Sequence, residues 1–172
     1  METLTSKPAT AAKSFISLPE ILEHWQGHRR LTRRTIEAFP DDKLFTYSLG
    51  GMRPFSELVL EFWEMTFYGI DGIATGKWAN IYADGQKIEK ARPTTKQELL
   101  QLWDEATEKL DSIWPTIRAD RFQEGDLAFG MWEGPIHYFV RYFIENEVHH
   151  RGQGYVYLRS LGVTPPGFYE RF

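Results

Sequence analysis

The feature that most constrains this chain is a change of polarity along its last long helical segment. Residues spaced three and four apart lie on one side of a helix. From residue 136 to residue 161 that side carries Ile136, Phe139, Phe143, Asn146, His150, Gln153, Tyr157 and Leu161. Its two ends are apolar, whereas its middle presents two amides and an imidazole. Buried polar groups destabilise a fold unless they find partners, so another part of the chain must face them.

Length and composition restrict the class of protein. The 172 residues are 42% hydrophobic and 26% charged, which is typical of one globular domain. The absence of cysteine excludes disulfides, thiolate zinc sites and a cysteine nucleophile. The net charge of -4 argues against nucleic-acid partners, and no apolar run reaches the roughly 20 residues of a membrane span. Because the N-terminus also lacks a secretory signal, we expect a cytoplasmic protein without a membrane partner.

Helical periodicity predicts four long helices joined by two long connections. The predicted spans are 17–39, 53–74, from a cap at Thr94 or Thr95 to about 117, and 135–162. Ser17 with Glu20 forms one capping box, and Glu98 is in position to complete another. No alternating strand pattern is evident. We therefore predict an all-α four-helix bundle, a fold in which facing side chains of the core build the sites.

The remaining segments lie outside the four helices. We expect residues 1–14 to form a flexible N-terminal arm and residues 15–172 to form a single domain. The two long connections are 78–93 and 118–134, and the second is expected to pack over the bundle as a lid. The chain ends in an extended tail whose aromatic residues are expected to pack back on the bundle. These residues are Phe168, Tyr169 and Phe172.

The first helix carries two histidines and four arginines. His24 and His28 have the i, i+4 spacing of a metal-binding pair. However, His24 falls off the apolar stripe and Gly27 lies between the two, so we interpret the pair as structural. The four arginines are expected to lie mostly on the outward side. They are Arg29, Arg30, Arg33 and Arg34.

The motif of the fourth helix resembles that of a known family. His150-Arg151-Gly152-Gln153, followed by the turn Leu161-Gly-Val-Thr-Pro-Pro166, is similar to the C-terminal signature of the DinB-like superfamily. The stretch from Arg53 to Glu61 resembles the family's second motif more loosely. Helix number and length agree over nearly the whole chain. The resemblance implies a homodimeric four-helix bundle, and the family includes thiol-dependent transferases and isomerases.

The resemblance also implies a divalent metal between the second and fourth helices. In the family three histidines hold the metal, and their positions fall here on Glu61, Asn146 and His150. Zinc or nickel is expected, with manganese as a further option, because carboxylate and imidazole suit zinc while an amide oxygen suits harder ions. The same three side chains can also satisfy one another without metal, with Glu61 accepting a hydrogen bond from protonated His150 and Asn146 bridging both.

Further polar residues of the fourth helix are expected around this site. They are Glu147, His149 and Gln153. A carboxylate that orients a ligating histidine is common, so Glu147 is a candidate for that role. Gln153 extends the polar stripe and is a candidate for holding a water or a substrate group, whereas Arg151 is expected to point outward. Gly152 and Gly154, which weaken a helix interior, indicate close approach by a neighbouring element.

Two functions remain open on the sequence. In the first, the protein is a metal-dependent transferase or hydrolase acting on a small molecule, with Glu61, Asn146 and His150 holding the ion. In the second, it is a non-catalytic dimeric bundle that keeps the degenerate site as a buried polar layer, a use documented for buried polar residues in helical assemblies. Both functions require Glu61 to face His150 inside the bundle.

Overall fold

Four long helices build the fold in the computed structural model, which describes residues 15–81 and 92–171. The elements before the last connection are α1 (Leu18–Ala38), a short α2 (Asp41–Leu44), α3 (Phe55–Thr75) and α4 (Lys96–Ile113), and the last helix is α5 (Ile136–Ser160). The predicted all-α bundle is confirmed. The predicted arm at 1–14, most of the first long connection and Phe172 lie outside the described residues.

The helix starts follow the capping chemistry that the sequence predicts. The Ser17 hydroxyl accepts a hydrogen bond from the backbone N–H of Glu20, while the Glu20 carboxylate accepts one from the N–H of Ser17. Thr95 and Glu98 make the same reciprocal pair at the start of α4, so Thr95 is the cap. Within the described ranges, no helix is long and apolar enough to cross a membrane.

The core consists of two apolar clusters, one at each end of the bundle. The first cluster includes Trp25, Ile73, Leu110 and Phe143. The second cluster includes Ile36, Leu58, Trp103 and Tyr157. The early residues of α1 and α5 thus share a cluster with the late residues of α3 and α4. It follows that α1 and α5 run in one direction and that α3 and α4 run in the other.

The second long connection contains strands that the sequence analysis missed. After two 3-10 segments, Trp114–Thr116 and Ala119–Gln123, the antiparallel strands β1 (Gly125–Ala128) and β2 (Trp132–Pro135) form a hairpin. Four residues per strand are too few to give a recognisable alternation. The third predicted helix also ends earlier than expected, at Ile113, because Pro115 has no backbone N–H to continue the α-helical hydrogen bonds, and the chain goes on as the 3-10 segment Trp114–Thr116.

A buried arginine corrects the prediction for the first helix. Arg29 was expected on the outward side but is only 1% exposed. Its guanidinium donates hydrogen bonds to Thr107 Oγ1 at 2.8 Å, Thr66 Oγ1 at 3.3 Å and the Trp103 carbonyl at 3.0 Å. The carbon of the guanidinium also lies 3.9 Å from the centre of the Trp103 ring. Arg29 therefore fills the gap that the apolar stripe leaves between Trp25 and Thr32.

Two further predictions are wrong for the face of α5 that meets α1. Arg151 was expected outside, but it donates to Thr32 Oγ1 at 2.9 Å and to His28 Nδ1 at 2.8 Å. Glu147 was expected beside His150, but it is 1% exposed and accepts a hydrogen bond from Thr32 Oγ1 at 2.5 Å. The reason is helical geometry: each residue turns the helix by about 100°, so positions 147 and 151 face α1 while 146 and 150 face α3.

His28 is part of this buried network rather than of a metal pair. Burial and the positive charge of Arg151 lower the pKa of His28 to about 3. The neutral ring therefore accepts the hydrogen bond from Arg151 at Nδ1. His24 packs edge-on against it, with 4.7 Å between the ring centres. The burial of Glu147 raises its pKa, although Arg29 and Arg151 act in the opposite direction.

The C-terminal tail docks through polar contacts, not through the aromatic packing that was predicted. Phe168 and Tyr169 are each 68% exposed, so that prediction is wrong for both. Instead, Arg30 Nε donates a hydrogen bond to the Arg171 carbonyl at 2.9 Å. This hydrogen bond ties the backbone of the tail to a side chain of α1, while the rings of Phe168 and Tyr169 stay at the surface.

Only one of the two glycines late in the polar motif is explained by close packing. A Cβ on Gly154 would lie 2.3 Å from the Phe55 ring, whereas a Cβ on Gly152 would meet nothing within 4 Å. The close approach expected of both is therefore present at Gly154 alone. This approach lets the start of α3 pack directly against α5.

These glycines form a matched pair for mutation. Gly154→Ala should destabilise the protein by about 1 to 3 kcal/mol because the added methyl group overpacks against Phe55. Gly152→Ala should instead stabilise it by about 0.5 to 1 kcal/mol, since alanine is the better helix former and has room. Urea unfolding measures both. Equal effects of the two substitutions would contradict the packing described here.

The buried network gives a second prediction. Glu147→Gln should cost roughly 3 to 5 kcal/mol of unfolding free energy because Arg29 and Arg151 lose their buried counter-charge. The control is Glu145→Gln on the same helix, where the carboxylate makes an exposed pair with Arg141 at 3.5 Å. That change should stay within about 0.5 kcal/mol. A loss of less than about 1 kcal/mol for Glu147→Gln in urea unfolding would disprove this role of the carboxylate.

Candidate functional site

Three of the residues predicted from the sequence meet between α3 and α5. Glu61 Oε1 lies 3.0 Å from His150 Nε2 and accepts a hydrogen bond from Asn146 Nδ2 at 3.3 Å. Asn146 and His150 are one turn apart on α5, so both side chains reach Glu61 from the same side. The polar stretch of α5 therefore finds its facing partner on the second long helix, as its sequence requires.

His150 is held between two oxygen acceptors. Its Nε2 faces Glu61, and its Nδ1 lies 3.1 Å from Gln153 Oε1. Burial alone would lower the pKa of His150, but the hydrogen bonds with Glu61 and Gln153 outweigh it and raise that pKa. Phe62 stacks on the imidazole with 6.3 Å between the ring centres. Because both ring nitrogens face acceptors, the arrangement favours the imidazolium form.

Glu61 carries a second partner that the sequence analysis did not assign to the site. Its Oε2 accepts a hydrogen bond from the Arg53 guanidinium. The hydrogen bond from His150, followed by those from Arg53 and Asn146, lowers the pKa of Glu61 to about 2 despite partial burial. Arg53 stands just ahead of α3 and eight residues before Glu61, so its closeness in the sequence was the available signal.

Asn146 has an unsatisfied atom at the centre of the site. Its Oδ1 is buried and has no hydrogen-bond partner among the described residues. Buried polar atoms in native proteins almost always have a partner. The Oδ1 atom of Asn146 can therefore accept one more hydrogen bond or coordinate a cation.

The other predicted neighbours divide between the two sides of α5. Gln153 contacts His150 with its oxygen, and its Nε2 lies 3.0 Å from His149 Nε2. Gln153 and the exposed His149 thus belong to the site. Glu147 does not, since it faces Thr32 on α1.

The donor set fits a divalent cation only in part. Within residues 15–81 and 92–171, no group of three His, Cys, Asp or Glu side chains could hold a metal ion. The three-ligand count of an open site is reached by adding the amide oxygen of Asn146 to Glu61 and His150. That unpartnered oxygen supports the fit, whereas Arg53 competes for the carboxylate. Carboxylate and amide oxygens suit ions as hard as manganese, and imidazole suits zinc and nickel.

A polar cavity borders Glu61. It has a volume of about 320 Å³ and a largely charged lining that includes Arg53, Glu57, Glu61, Glu64 and Arg92. The exposed edge of the site thus opens on a space large enough for a small molecule.

Comparison with known proteins places the chain in a family. The DinB family model matches residues 9–172. Among solved structures, a DinB-like protein from Bacillus subtilis is 21% identical, with a TM-score of 0.68 over 87% of this chain and 97% of that one. A DinB-like protein from Bacillus cereus is 19% identical, with a TM-score of 0.65 over 88% and 97%. Comparison with curated protein sequences gives no match.

At these identities the two solved structures show that the fold is similar. The family model, in contrast, matches the sequence itself, from residue 9 to residue 172. The chain therefore belongs to the DinB family.

Proposed function

We propose that this DinB-family protein is a divalent-metal-dependent transferase or hydrolase acting on a small molecule. Glu61, Asn146 and His150 would be the ligands of the metal. The observation that carries the proposal is the buried, unpartnered Oδ1 of Asn146 beside the contact between Glu61 and His150. A cation at that point would be coordinated by the amide oxygen of Asn146 and by the carboxylate of Glu61 at the same time.

The surrounding residues have roles that fit the proposal. Gln153 Oε1 accepts from Nδ1 of His150, which keeps the proton on that nitrogen and leaves Nε2 free for a ligand. Phe62 fixes the plane of the ring by stacking. Arg53 balances the charge of Glu61 when no cation is bound. A divalent ion in such an open site supplies Lewis acidity, which makes a water or a thiol nucleophilic at neutral pH.

The polar cavity supports a small-molecule substrate. Glu61 is part of its wall, so a ligand in the cavity would reach the edge of the metal site. The thiol dependence of known family members extends the proposal to a thiol co-substrate. We further propose a homodimer and a cytoplasmic location, both by analogy with the family.

Metal binding can be tested by mutation of neighbouring histidines. Untagged protein purified without chelator should contain a divalent metal, or should gain roughly 5 to 10 °C in melting temperature with zinc, nickel or manganese at about 100 times the dissociation constant. His150→Ala should abolish this gain, whereas His149→Ala should keep it. Elemental analysis and differential scanning fluorimetry measure both. Wild-type protein that neither carries metal nor responds to it would rule out the proposal.

The second candidate is the metal-free polar layer in a non-catalytic dimer. It is favoured by one observation: Arg53 and His150 both donate to Glu61, so the carboxylate is satisfied without a cation. In this case the pair would serve to fix the register of α3 against α5.

The pKa values give the pH dependence of that layer. The Glu61 pKa is lowered to about 2 from 4.5, so its stabilising effect is complete above pH 4.5 and is lost as pH falls toward 2. The His150 pKa is raised above 6.5, so its effect is complete below pH 6.5 and is lost as pH rises through the raised value. In chelated protein, Glu61→Gln should therefore cost most between pH 4.5 and 6.5, by roughly 1 to 3 kcal/mol.

Urea unfolding across the pH range measures this cost. The control is Glu57→Gln, which lines the same cavity but pairs with Arg92 at 3.2 Å rather than with His150. Its effect should be small throughout. A cost for Glu61→Gln that does not decline above neutral pH would show that protonated His150 is not the partner of the carboxylate.

A further inference from the structure

A second cavity lies directly beside the polar one and has a different character. Its volume is about 190 Å³. Its walls are formed by side chains of the hairpin, of the first turns of α5 and of α3, and no charged residue is among them. They include Met65, Phe129, Trp132, Phe139, Tyr142 and Phe143.

The two cavities share part of their walls. Met65, Trp132 and Tyr142 line both of them. Met65 stands one helical turn after Glu61 on α3, so the shared wall lies next to the carboxylate. The two cavities therefore adjoin along one wall, and Glu61 stands on the charged side of it.

Two costly backbone features shape the apolar cavity. Gly69 lies in the interior of α3, where glycine weakens a helix. A Cβ at this position would lie 2.5 Å from the Phe143 ring and 3.4 Å from the Phe129 ring. Phe129 has a φ of 53°, the one positive value of a non-glycine residue among those described. Phe129 and Gly130, whose φ is 73°, lie in the turn between β1 and β2, where the Met131 N–H donates to the Ala128 carbonyl at 3.0 Å. The tight hairpin therefore accounts for this conformation, which places the Phe129 ring at the cavity.

Aromatic rings form most of the wall of this cavity. The hairpin turn carries the buried ring of Phe129, and Gly69 leaves room on α3 for the rings of Phe143 and Phe129. The space is therefore bounded mainly by apolar ring surface, which suits an apolar group of a ligand.

We propose that this apolar cavity binds the hydrocarbon part of the protein's small-molecule ligand. The size indicates one aromatic ring or an alkyl group of about six to eight carbons, since an engineered apolar cavity of about 150 Å³ accepts benzene. The polar part of the ligand lies toward Glu61. The ligand class is therefore a small amphipathic molecule, and only the assignment of its reacting end rests on the proposed function.

The probe for this site is benzyl alcohol, and glycerol is the control without a ring. Protein labelled with 13C at the methionine methyl groups is titrated in the presence of EDTA. The Met65 signal, identified by its absence in Met65→Leu, should shift saturably with benzyl alcohol at a dissociation constant on the order of 1 mM. It should not shift with glycerol, and the signal of exposed Met52 should stay unchanged with either compound.

A variant that fills the cavity tests the location. Ala128 is buried in β1 and lines the space. Ala128→Leu should weaken benzyl alcohol binding at least tenfold without lowering the melting temperature, because the new side chain occupies an existing void. The neighbouring change Leu127→Ala, at an exposed position of the same strand, should leave binding unchanged.

Several results would overturn the proposal. One is a Met65 signal that does not respond to benzyl alcohol in wild-type protein. This measurement tests the proposal even if Ala128→Leu fails to fold. Another is equal binding by Ala128→Leu. A third is a Met65 shift on simple dilution, which would mean that a second copy of the chain fills the cavity.

The outcome is independent of the metal site. The titration is performed with chelator, so the binding of benzyl alcohol is measured without a bound metal. Ring binding without any metal response would leave this inference standing and remove the proposed function. A metal response without ring binding would do the reverse.

Discussion

The contact between Glu61 and His150 joins α3 to α5 at the level where the facing side of α5 carries polar instead of apolar residues. At the same level, Glu147 and Arg151 bind Thr32 and His28 on the side of α5 that faces α1. The middle of α5 is thus polar on two sides, and each side has its own partner helix. This polar belt lies between the two apolar clusters of the core. A slip of α5 by one turn would leave charges buried without partners, so the belt defines the register of three helices.

The two halves of the belt differ in what they can do chemically. Glu147 is enclosed between α1 and α5, where Thr32 and the nearby Arg29 and Arg151 leave it no access to solvent. The Glu61 side chain keeps 26% of its surface exposed and borders the polar cavity. A carboxylate can exchange one partner for another only where a new partner can reach it. The α3 side of the belt is therefore the side on which binding chemistry is available, although both sides contribute to holding the fold.

The sequence predicted the helices, their caps and the meeting of Glu61 with Asn146 and His150, because helical periodicity and the family motif both specify which residues face each other. It failed where a side chain can reach the core from an unexpected position. Arg29 was assigned to the outward side because it lies off the apolar stripe, and Arg151 was expected to point outward, but long guanidinium side chains can be buried when each donor finds an acceptor. The hairpin was missed because four-residue strands carry too short a pattern. The metal remains a prediction from the family motif and from the chemistry of the three donors.

Arg53 explains how one site could serve both as a polar layer and as a cation site. The Arg53 side chain is 48% exposed, so it can leave Glu61 for solvent at little cost. His150 cannot leave, because Gln153 and Phe62 hold its ring. It can, however, lose the proton that it shares with Glu61. A cation would thus replace the Arg53 charge and the proton between Glu61 and His150, while the contacts of Glu147 and Arg151 on the α1 side of the belt stay in place. The replaceable partners of Glu61 lie on the cavity side, which is the direction from which a ligand would approach.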